Sequence, residues 1–313
     1  MSALRDFLAE YLAVRRALGT QLREPGVALG HFLELLEHEG SEVITTELAV
    51  RWARQPAGVQ PATWARRLTA VRRFAAWLSA FDPRTEVPPR GLIAARHRRN
   101  KPYIFTDREI DLLMVEAARL PSRKGLRALT YATLIGLLVA TGLRPGEALG
   151  LDMQDVDLQN GILIIRQTKF GKSRFVPVQE STRIALARYA RRRDKLIPRR
   201  LTDAFLVSER GKRLENASTR RTFAQMSCAI GLRIPTGSWR IGRGPRLQDM
   251  RHTFATRTLI EWYRSGLDVE REMPKLATYL GHVSVANTYW YIEAVPDLLQ
   301  LATEYLSGRR GGA

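Results

Sequence analysis

The chain has 313 residues, enough for two folded domains and a sizeable buried core. It carries 50 Lys and Arg against 31 Asp and Glu, and the resulting formal charge of +19 favours a polyanionic partner. With 45% hydrophobic residues it is too apolar for a disordered basic tail, and with one cysteine, Cys228, it can form no internal disulfide.

The first 82 residues are predicted to form a small helical bundle. Apolar residues recur there at helical spacing, prolines break the pattern, and no strand signal intervenes. The predicted helices span Leu4 to Leu18, Val27 to Leu36, Thr46 to Trp52 and Thr63 to Leu78.

The fourth predicted helix carries an arginine-rich face opposite an apolar one. A charge run of this kind is ordinarily a solvated face, but it also suits contact with a polyanion. The basic residues are Arg66, Arg67, Arg72 and Arg73. Residues 83–103 follow with four prolines and the run Arg96-His97-Arg98-Arg99, which indicates a stiff, basic linker.

Residues 104–313 are predicted to be mainly helical with a small antiparallel sheet. Thr106 and Glu109 have the spacing of a capping box, and a nearly all-apolar helix is expected from Leu126 to Ala140. A hairpin is predicted around Gly171 and a short strand at residues 205–208. Further helices are predicted at Ser181 to Leu196, Ser218 to Ile230 and Pro296 to Leu306.

Three residues of the last third suit attack on a phosphodiester. Arg251 lies on a predicted helix, His282 follows a glycine turn, and Tyr291 comes nine positions later. Arginine offers permanent charge and bidentate donors to phosphate oxygens, and a phenol can form a covalent phosphotyrosine. The departing 5′-hydroxyl needs an acid, and Arg144 and Lys169 upstream supply a second arginine and a candidate acid.

The sequence resembles the tyrosine recombinases, the phage-integrase-like site-specific recombinases. The boxes TGLRPGEAL, TKFGKSRFVPV, DMRHTFAT, YLGH and NTYWY occur in the family's order, and the resemblance covers roughly two-thirds of the chain. The segment WYRSGLDVEREMP lengthens the interval between Arg251 and His282, as in the transposon-associated subfamily. The implied fold is an N-terminal helical core-binding (SAM-like) bundle, residues 1–82, a linker, residues 83–103, and an α+β catalytic domain, residues 104–313.

The resemblance also implies a role for each site residue. Arg144 and Arg251 would clamp the scissile phosphate, and His282 would donate a hydrogen bond to it. Lys169 would protonate the departing 5′-oxygen, and Tyr291 would be the nucleophile in preference to its neighbour Tyr289, which stands at a different offset from the histidine.

One expected residue is replaced. The family's H-x-x-R box usually begins with histidine, but Gln248 stands three positions before Arg251. Glutamine can donate a hydrogen bond to phosphate but cannot accept a proton from a phenol. His252 lies one helical turn from Gln248, yet we do not assign it as the base, because the family commonly has a histidine there beside the usual one.

The expected partner is double-stranded DNA with an inverted-repeat site. The resemblance implies a homo-tetramer on that DNA, or an assembly with related recombinases, in which the C-terminal helix docks on a neighbour; packing on its own domain is the alternative. Backbone contacts are expected from Arg66, Arg67, Arg72, Arg73, Arg96, Arg98 and Arg99.

The sequence therefore predicts a site-specific DNA recombinase or integrase of a mobile element, working through a 3′-phosphotyrosine. The alternatives are a catalytically impaired, DNA-binding relative and an enzyme resembling type IB topoisomerases. No metal or nucleotide cofactor is expected, because the covalent intermediate conserves the bond energy and the histidines lack metal-ligand spacing. With one cysteine and no apolar run near 20 residues, a cytoplasmic location away from membranes is expected.

Overall fold

The computed structural model describes residues 3–95, 101–166, 173–199, 201–235 and 244–310. The chain divides into two compact units, residues 1–100 and 101–313. Within the described ranges it is mainly helical, with thirteen α-helices and one small antiparallel sheet, which confirms the predicted fold class. None of these helices is both long enough and apolar enough to cross a membrane.

The first unit contains the four predicted helices. They are α1 (Ala3–Ala17), α2 (Arg23–His38), α3 (Thr46–Arg54) and α4 (Pro61–Leu78). Their apolar faces meet in one core around Phe32, Trp52 and Phe74, all at most 1% exposed. The helical periodicity of apolar residues therefore identified the faces that pack.

Two contacts fix α3 in this bundle. The hydroxyl of Thr45 caps its N-terminus by accepting the backbone N–H of Leu48, and the carboxylate of Glu86 accepts the N–H of Thr46 at 2.7 Å. Ile93 is also buried in this core, so much of the segment predicted as a linker packs on the first unit. The rest of that segment, residues 96–100, lies outside the described residues.

The second unit is built around α6, whose residues are almost all apolar. Its elements in chain order are α5 (Asp107–Ala118), α6 (Leu126–Thr141), α7 (Pro145–Gly150), β1 (Val156–Asp157), β2 (Ile162–Ile165), β3 (Arg174–Pro177), α8 (Glu180–Leu196), α9 (Asn216–Ala229), α10 (Asp249–Arg264), α11 (Val269–Leu280), α12 (Ala286–Ala294) and α13 (Pro296–Arg310). The strands pair antiparallel in the order β1-β2-β3, with Ile165 opposite Arg174. The two predicted hairpin strands are thus confirmed, while the turn at Gly171 lies outside the described residues.

The strand predicted at residues 205–208 is wrong. Phe205, Leu206 and Val207 are all at most 2% exposed, so they do not alternate between two faces as a half-buried strand does. The N–H of Val207 donates to the hydroxyl of Tyr189 rather than to a strand neighbour. The segment makes only isolated antiparallel bridges, Ala204 with Asp152 and Val207 with Arg213, and no continuous strand.

Helix α11 was not predicted. Its first turn comes from the segment read as an insertion, and it contains Pro274. Asp268 caps it by accepting the N–H of Arg271, and its buried face includes Met273 and Leu280. It ends at Gly281, which adopts a left-handed conformation with φ of 67°.

The end of α6 lies very close to α10 and α11. Gly142 follows α6 with φ of 60°, and a Cβ atom there would lie 2.5 Å from Cδ1 of Phe254 and 3.1 Å from Cδ2 of Leu280. Only glycine allows this backbone conformation and this approach together. The close packing places Arg144, two residues later, beside the end of α11.

Replacing Gly142 by alanine should destabilise the second unit by about 2–5 kcal/mol, because left-handed strain and overpacking add. The measurement is the free energy of unfolding in urea. Gly136→Ala is the matched control: it lies inside α6, and its new Cβ would have only Met114 Cε within reach, at 3.9 Å. That variant should be neutral or more stable by up to about 1 kcal/mol; equal losses in both variants would contradict the packing argument.

Candidate active site

Arg251 is a charged side chain buried in the protein, only 2% exposed. It lies in the first turn of α10, and its guanidinium donates to the carbonyl of Gly142 at 2.9 Å and to that of Leu280 at 2.6 Å. Burial, followed by repulsion from Arg144, lowers its pKa to about 10. The side chain therefore still carries its charge at neutral pH.

Arg144 comes to the same place from another part of the chain. It precedes α7, with Pro145 as the first helical residue. Its Nη2 donates to the carbonyl of Gly281 at 3.1 Å, and its Nη1 pairs with Glu147 at 2.7 Å. Two guanidinium groups thus bind consecutive carbonyls at the C-terminus of α11, the end of a helix that favours cations.

A third arginine, Arg174, completes this cluster and was missed by the sequence analysis. From the start of β3 it contacts both carboxylate oxygens of Glu147, at 2.8 and 3.1 Å, and donates to the carbonyl of Tyr279 at 2.8 Å. Burial alone would raise the pKa of Glu147, but hydrogen bonds and charge from Arg174, then Arg144, outweigh it and lower that pKa. One carboxylate therefore holds two arginines in place.

Gly281 leaves space for the guanidinium group of Arg174. A Cβ atom at this position would lie 2.7 Å from Nη1 of Arg174, and its left-handed backbone turns the chain out of α11. His282 follows immediately, with its N–H bonded to the carbonyl of Ala277. The glycine before the histidine is thus required by the arginine packed against it.

The His282 imidazole is neutral over the physiological range. Burial, then repulsion from Arg251 and Arg144, lowers its pKa to about 3. Its Nδ1 lies 2.7 Å from the hydroxyl of Thr288, a buried residue of α12. This contact fixes the ring orientation.

Tyr291 lies in α12, only 2% exposed, with its ring stacked on that of His282 at a centroid distance of 6.3 Å. Its hydroxyl is 3.1 Å from Nδ1 of His252. Tyr289 is 40% exposed. The structure therefore groups Tyr291 with His282 and the arginines.

Gln248 lines an open cleft of about 440 Å³ beside Arg144. Glu147 and the β2-side residues Ile164 and Arg166 also line this cleft. Lys169, which stands between β2 and β3 in the sequence, lies outside the described residues, as do Arg96, Arg98 and Arg99.

The four arginines of α4 differ in their surroundings. Arg66 and Arg73 are exposed and Arg72 is half-buried. Arg67 lies over the ring of Trp52 at 3.7 Å and donates to the carbonyl of Trp52 at 2.9 Å. It therefore joins α3 to α4 as well as contributing positive charge.

Comparison with known proteins gives consistent matches. Residues 104–296 match the phage integrase family. The protein y4rB of Sinorhizobium fredii, named as an integrase/recombinase, is 45% identical over 99% of this chain and 98% of its own length. The tyrosine recombinase XerD of Caulobacter vibrioides is 30% identical over 99% of this chain and 98% of its own. The Tn1549 transposon integrase in complex with transposon right end DNA aligns at 17% identity with a TM-score of 0.65, covering 96% of this chain and 98% of that one.

Glu147→Gln should destabilise the second unit by about 3–5 kcal/mol near pH 7, because it leaves buried arginine charge unpaired. The folded-state pKa of Glu147 lies below its ordinary value of 4.5, so its contribution is full above that pH and is lost as the pH falls through the folded value. Urea unfolding should therefore show a gap between the two proteins that narrows below about pH 4.5.

Glu180→Gln is the matched control, since Glu180 pairs with Arg183 at the surface with 65% of its side chain exposed. This change should affect stability far less. A pH-independent gap for Glu147→Gln, or an equal loss for Glu180→Gln, would contradict the role given to the buried carboxylate.

Proposed function

Because the chain belongs to the phage integrase family and is a site-specific tyrosine recombinase, we propose that it breaks and rejoins DNA through a 3′-phosphotyrosine. The family resemblance read from the ordered boxes is confirmed by these matches. The observation that carries the mechanism is the grouping of Arg144, Arg251, His282 and Tyr291 around the end of α11.

In the proposed reaction, the two arginines hold the scissile phosphate. Their guanidinium groups are positioned by backbone carbonyls before DNA arrives, so no reorganisation is needed as charge develops on the non-bridging oxygens. The Tyr291 oxygen attacks phosphorus, an O–P bond forms, and the bond to the 5′-oxygen breaks. Attack by a 5′-hydroxyl of another strand then reverses these events on a new partner.

His282 acts in this scheme as a neutral donor. When its Nδ1 accepts the hydroxyl proton of Thr288, Nε2 carries a hydrogen that can bind a phosphate oxygen. The low pKa of His282 means that it does not change charge between about pH 5 and 9.

Lys169 is proposed as the acid that protonates the departing 5′-oxygen, from the hairpin between β2 and β3. The fixed charge of the arginines takes the place of a metal ion, and the phosphotyrosine conserves the bond energy, so we propose that neither metal nor nucleotide is required.

The Tyr291 phenol is buried in the present structure, at 2% exposed. A phosphorus atom must reach its oxygen, so we expect α12 to shift when DNA binds. Burial until then keeps the nucleophile from other reactions.

Double-stranded DNA with an inverted-repeat site is the proposed substrate, in keeping with the +19 charge and with the transposon end bound by the Tn1549 integrase. We propose that this protein serves a mobile element and assembles as a tetramer on its site, with α13 reaching a neighbour. The exposed Arg66 and Arg73 of α4 are suited to contact the DNA backbone.

The first test is covalent attachment to a nicked suicide duplex carrying the inverted repeats that flank the gene. The wild-type protein should become attached, and Tyr291→Phe should not, because the variant lacks the attacking oxygen. Tyr289→Phe is the matched control and should attach. Attachment by Tyr291→Phe would reassign the nucleophile, and chelation of metal by EDTA should leave the wild-type rate unchanged.

The second test concerns the acid. Lys169→Ala should cleave an ordinary duplex about 10²- to 10⁴-fold more slowly than the wild type, the usual loss for a missing acid. A duplex with sulfur in place of the bridging 5′-oxygen should restore the rate, because a thiolate leaves without protonation. If the sulfur substrate brings no recovery, Lys169 does not act on the leaving group.

A further inference from the structure

His252 is held against the nucleophile more closely than the sequence indicates. Its Nδ1 is 3.1 Å from the Tyr291 hydroxyl, and the two rings lie at a centroid distance of 5.5 Å. The ring of Trp290 packs edge-on against it at 5.6 Å, and the His252 side chain is 17% exposed. Packing thus holds the imidazole within hydrogen-bond distance of the phenol.

The other nitrogen of the ring faces a carboxylate. Oδ1 of Asp249 lies 3.8 Å from Nε2 of His252, and the Asp249 side chain is 4% exposed. Oδ2 of Asp249 accepts the N–H of Arg246 at 2.7 Å, and Oδ1 forms an ion pair with Nη2 of Arg246 at 3.5 Å but receives no hydrogen bond from the described part of the chain. A carboxylate on this side favours the tautomer with hydrogen on Nε2, which leaves the Nδ1 lone pair directed at the phenol.

Gln248 faces a different part of the site. It lines the cleft beside Arg144 and Glu147, where an amide can bind a phosphate oxygen. An amide cannot take a proton, so position 248 leaves the Tyr291 proton without an acceptor.

On the basis of the proposed function, we infer that His252 is a further catalytic residue: it accepts the Tyr291 proton during cleavage and returns it during rejoining. In cleavage the phenolic O–H bond breaks, its proton moves to Nδ1, the Tyr291 oxygen bonds to phosphorus, and the 5′-oxygen leaves with a proton from Lys169. The imidazolium is then paired with Asp249. In rejoining, the attacking 5′-hydroxyl returns a proton to the neutral Lys169 amine and its oxygen bonds to phosphorus. The bond between phosphorus and the Tyr291 oxygen breaks, and the imidazolium proton returns to that oxygen, so atoms and charge balance over the cycle.

The charges around His252 leave it ready to accept a proton at neutral pH. Burial lowers its pKa; Asp249 opposes this, and Arg251 and Arg246 add to it. Five titratable or charged groups face His252. Asp249 and Arg251 belong to the same helix, α10, and Arg246 precedes it; Tyr291 belongs to α12, and His282 follows α11.

The test is single-turnover cleavage of the nicked duplex by the full-length protein. His252→Asn is the informative variant, because its amide oxygen can take the place of Nδ1 in the hydrogen bond but is not basic. The rate should fall by about 10²- to 10⁴-fold, with DNA affinity in a mobility-shift assay unchanged. The bridging-sulfur duplex, which should rescue Lys169→Ala, should not rescue His252→Asn.

The dependence of the cleavage rate on pH separates proton transfer by His252 from a positioning role. It is measured on the bridging-sulfur duplex, because cleavage of that substrate does not depend on the acid Lys169. The wild-type rate should be flat above the lowered pKa of His252. In His252→Asn the rate should rise about tenfold per pH unit, since the phenolate must then form before the attack. If this variant does not fold, His252→Gln also removes the basic group, although its amide lies on the Nε2 side and does not replace the hydrogen bond to Tyr291, so the pH profile then decides.

Three outcomes would overturn the inference while Tyr291→Phe stays inactive. They are a rate for His252→Asn within about threefold of wild type or above it, a pH profile parallel to wild type, and recovery on the sulfur duplex. A gain of about tenfold or more from Gln248→His would do the same, because it would show that the wild type lacks an acceptor. Attachment by Tyr291→Phe would instead overturn the proposed function.

Discussion

The site depends on the two carbonyl groups that end α11. Leu280 and Gly281 accept hydrogen bonds from Arg251 and Arg144, which are separated by more than a hundred residues in the sequence. Two guanidinium groups at one place repel each other, and this repulsion contributes to the lowered pKa of Arg251. The negative end of the helix and the carboxylate of Glu147 offset the repulsion only in part. In the proposed reaction, the charge of a bound phosphate would oppose this repulsion further.

The arginines can reach these backbone carbonyls only if the backbone lies close to neighbouring side chains. This requirement explains why positions 142 and 281 are glycines. Gly142 offers its carbonyl to Arg251 while Phe254 occupies the space that a Cβ atom would need, and Gly281 binds Arg144 through its carbonyl while Arg174 occupies the corresponding space. A side chain at either position would separate the elements that the arginines connect. The stability of this unit and the geometry of its site therefore rest on the same few contacts.

Much of the architecture could be predicted because it follows from local patterns. Helical periodicity gave the four helices of the first unit, and alternation gave the β2–β3 hairpin. The ordered boxes gave Arg144, Arg251, His282 and Tyr291, which the structure brings together, although their roles remain predictions. The contacts of Arg174 with Glu147 and of His252 with Tyr291 could not be found in this way. They join residues 27 and 39 positions apart, and they exist only because β3, α7, α10 and α12 pack as they do.

The relation between Gln248 and His252 shows how such a contact can compensate for a missing residue. Positions four apart on a helix lie on the same face, about 5–6 Å apart. Gln248 stands at the start of α10 beside the cleft of Arg144, while His252, one turn later, contacts the phenol of α12. Asp249 lies between them and can stabilise an imidazolium only at the later position. In the proposed reaction, phosphate binding by Gln248 and proton acceptance by His252 would thus be divided between two adjacent turns, and the basic group would lie at the oxygen that must lose its proton.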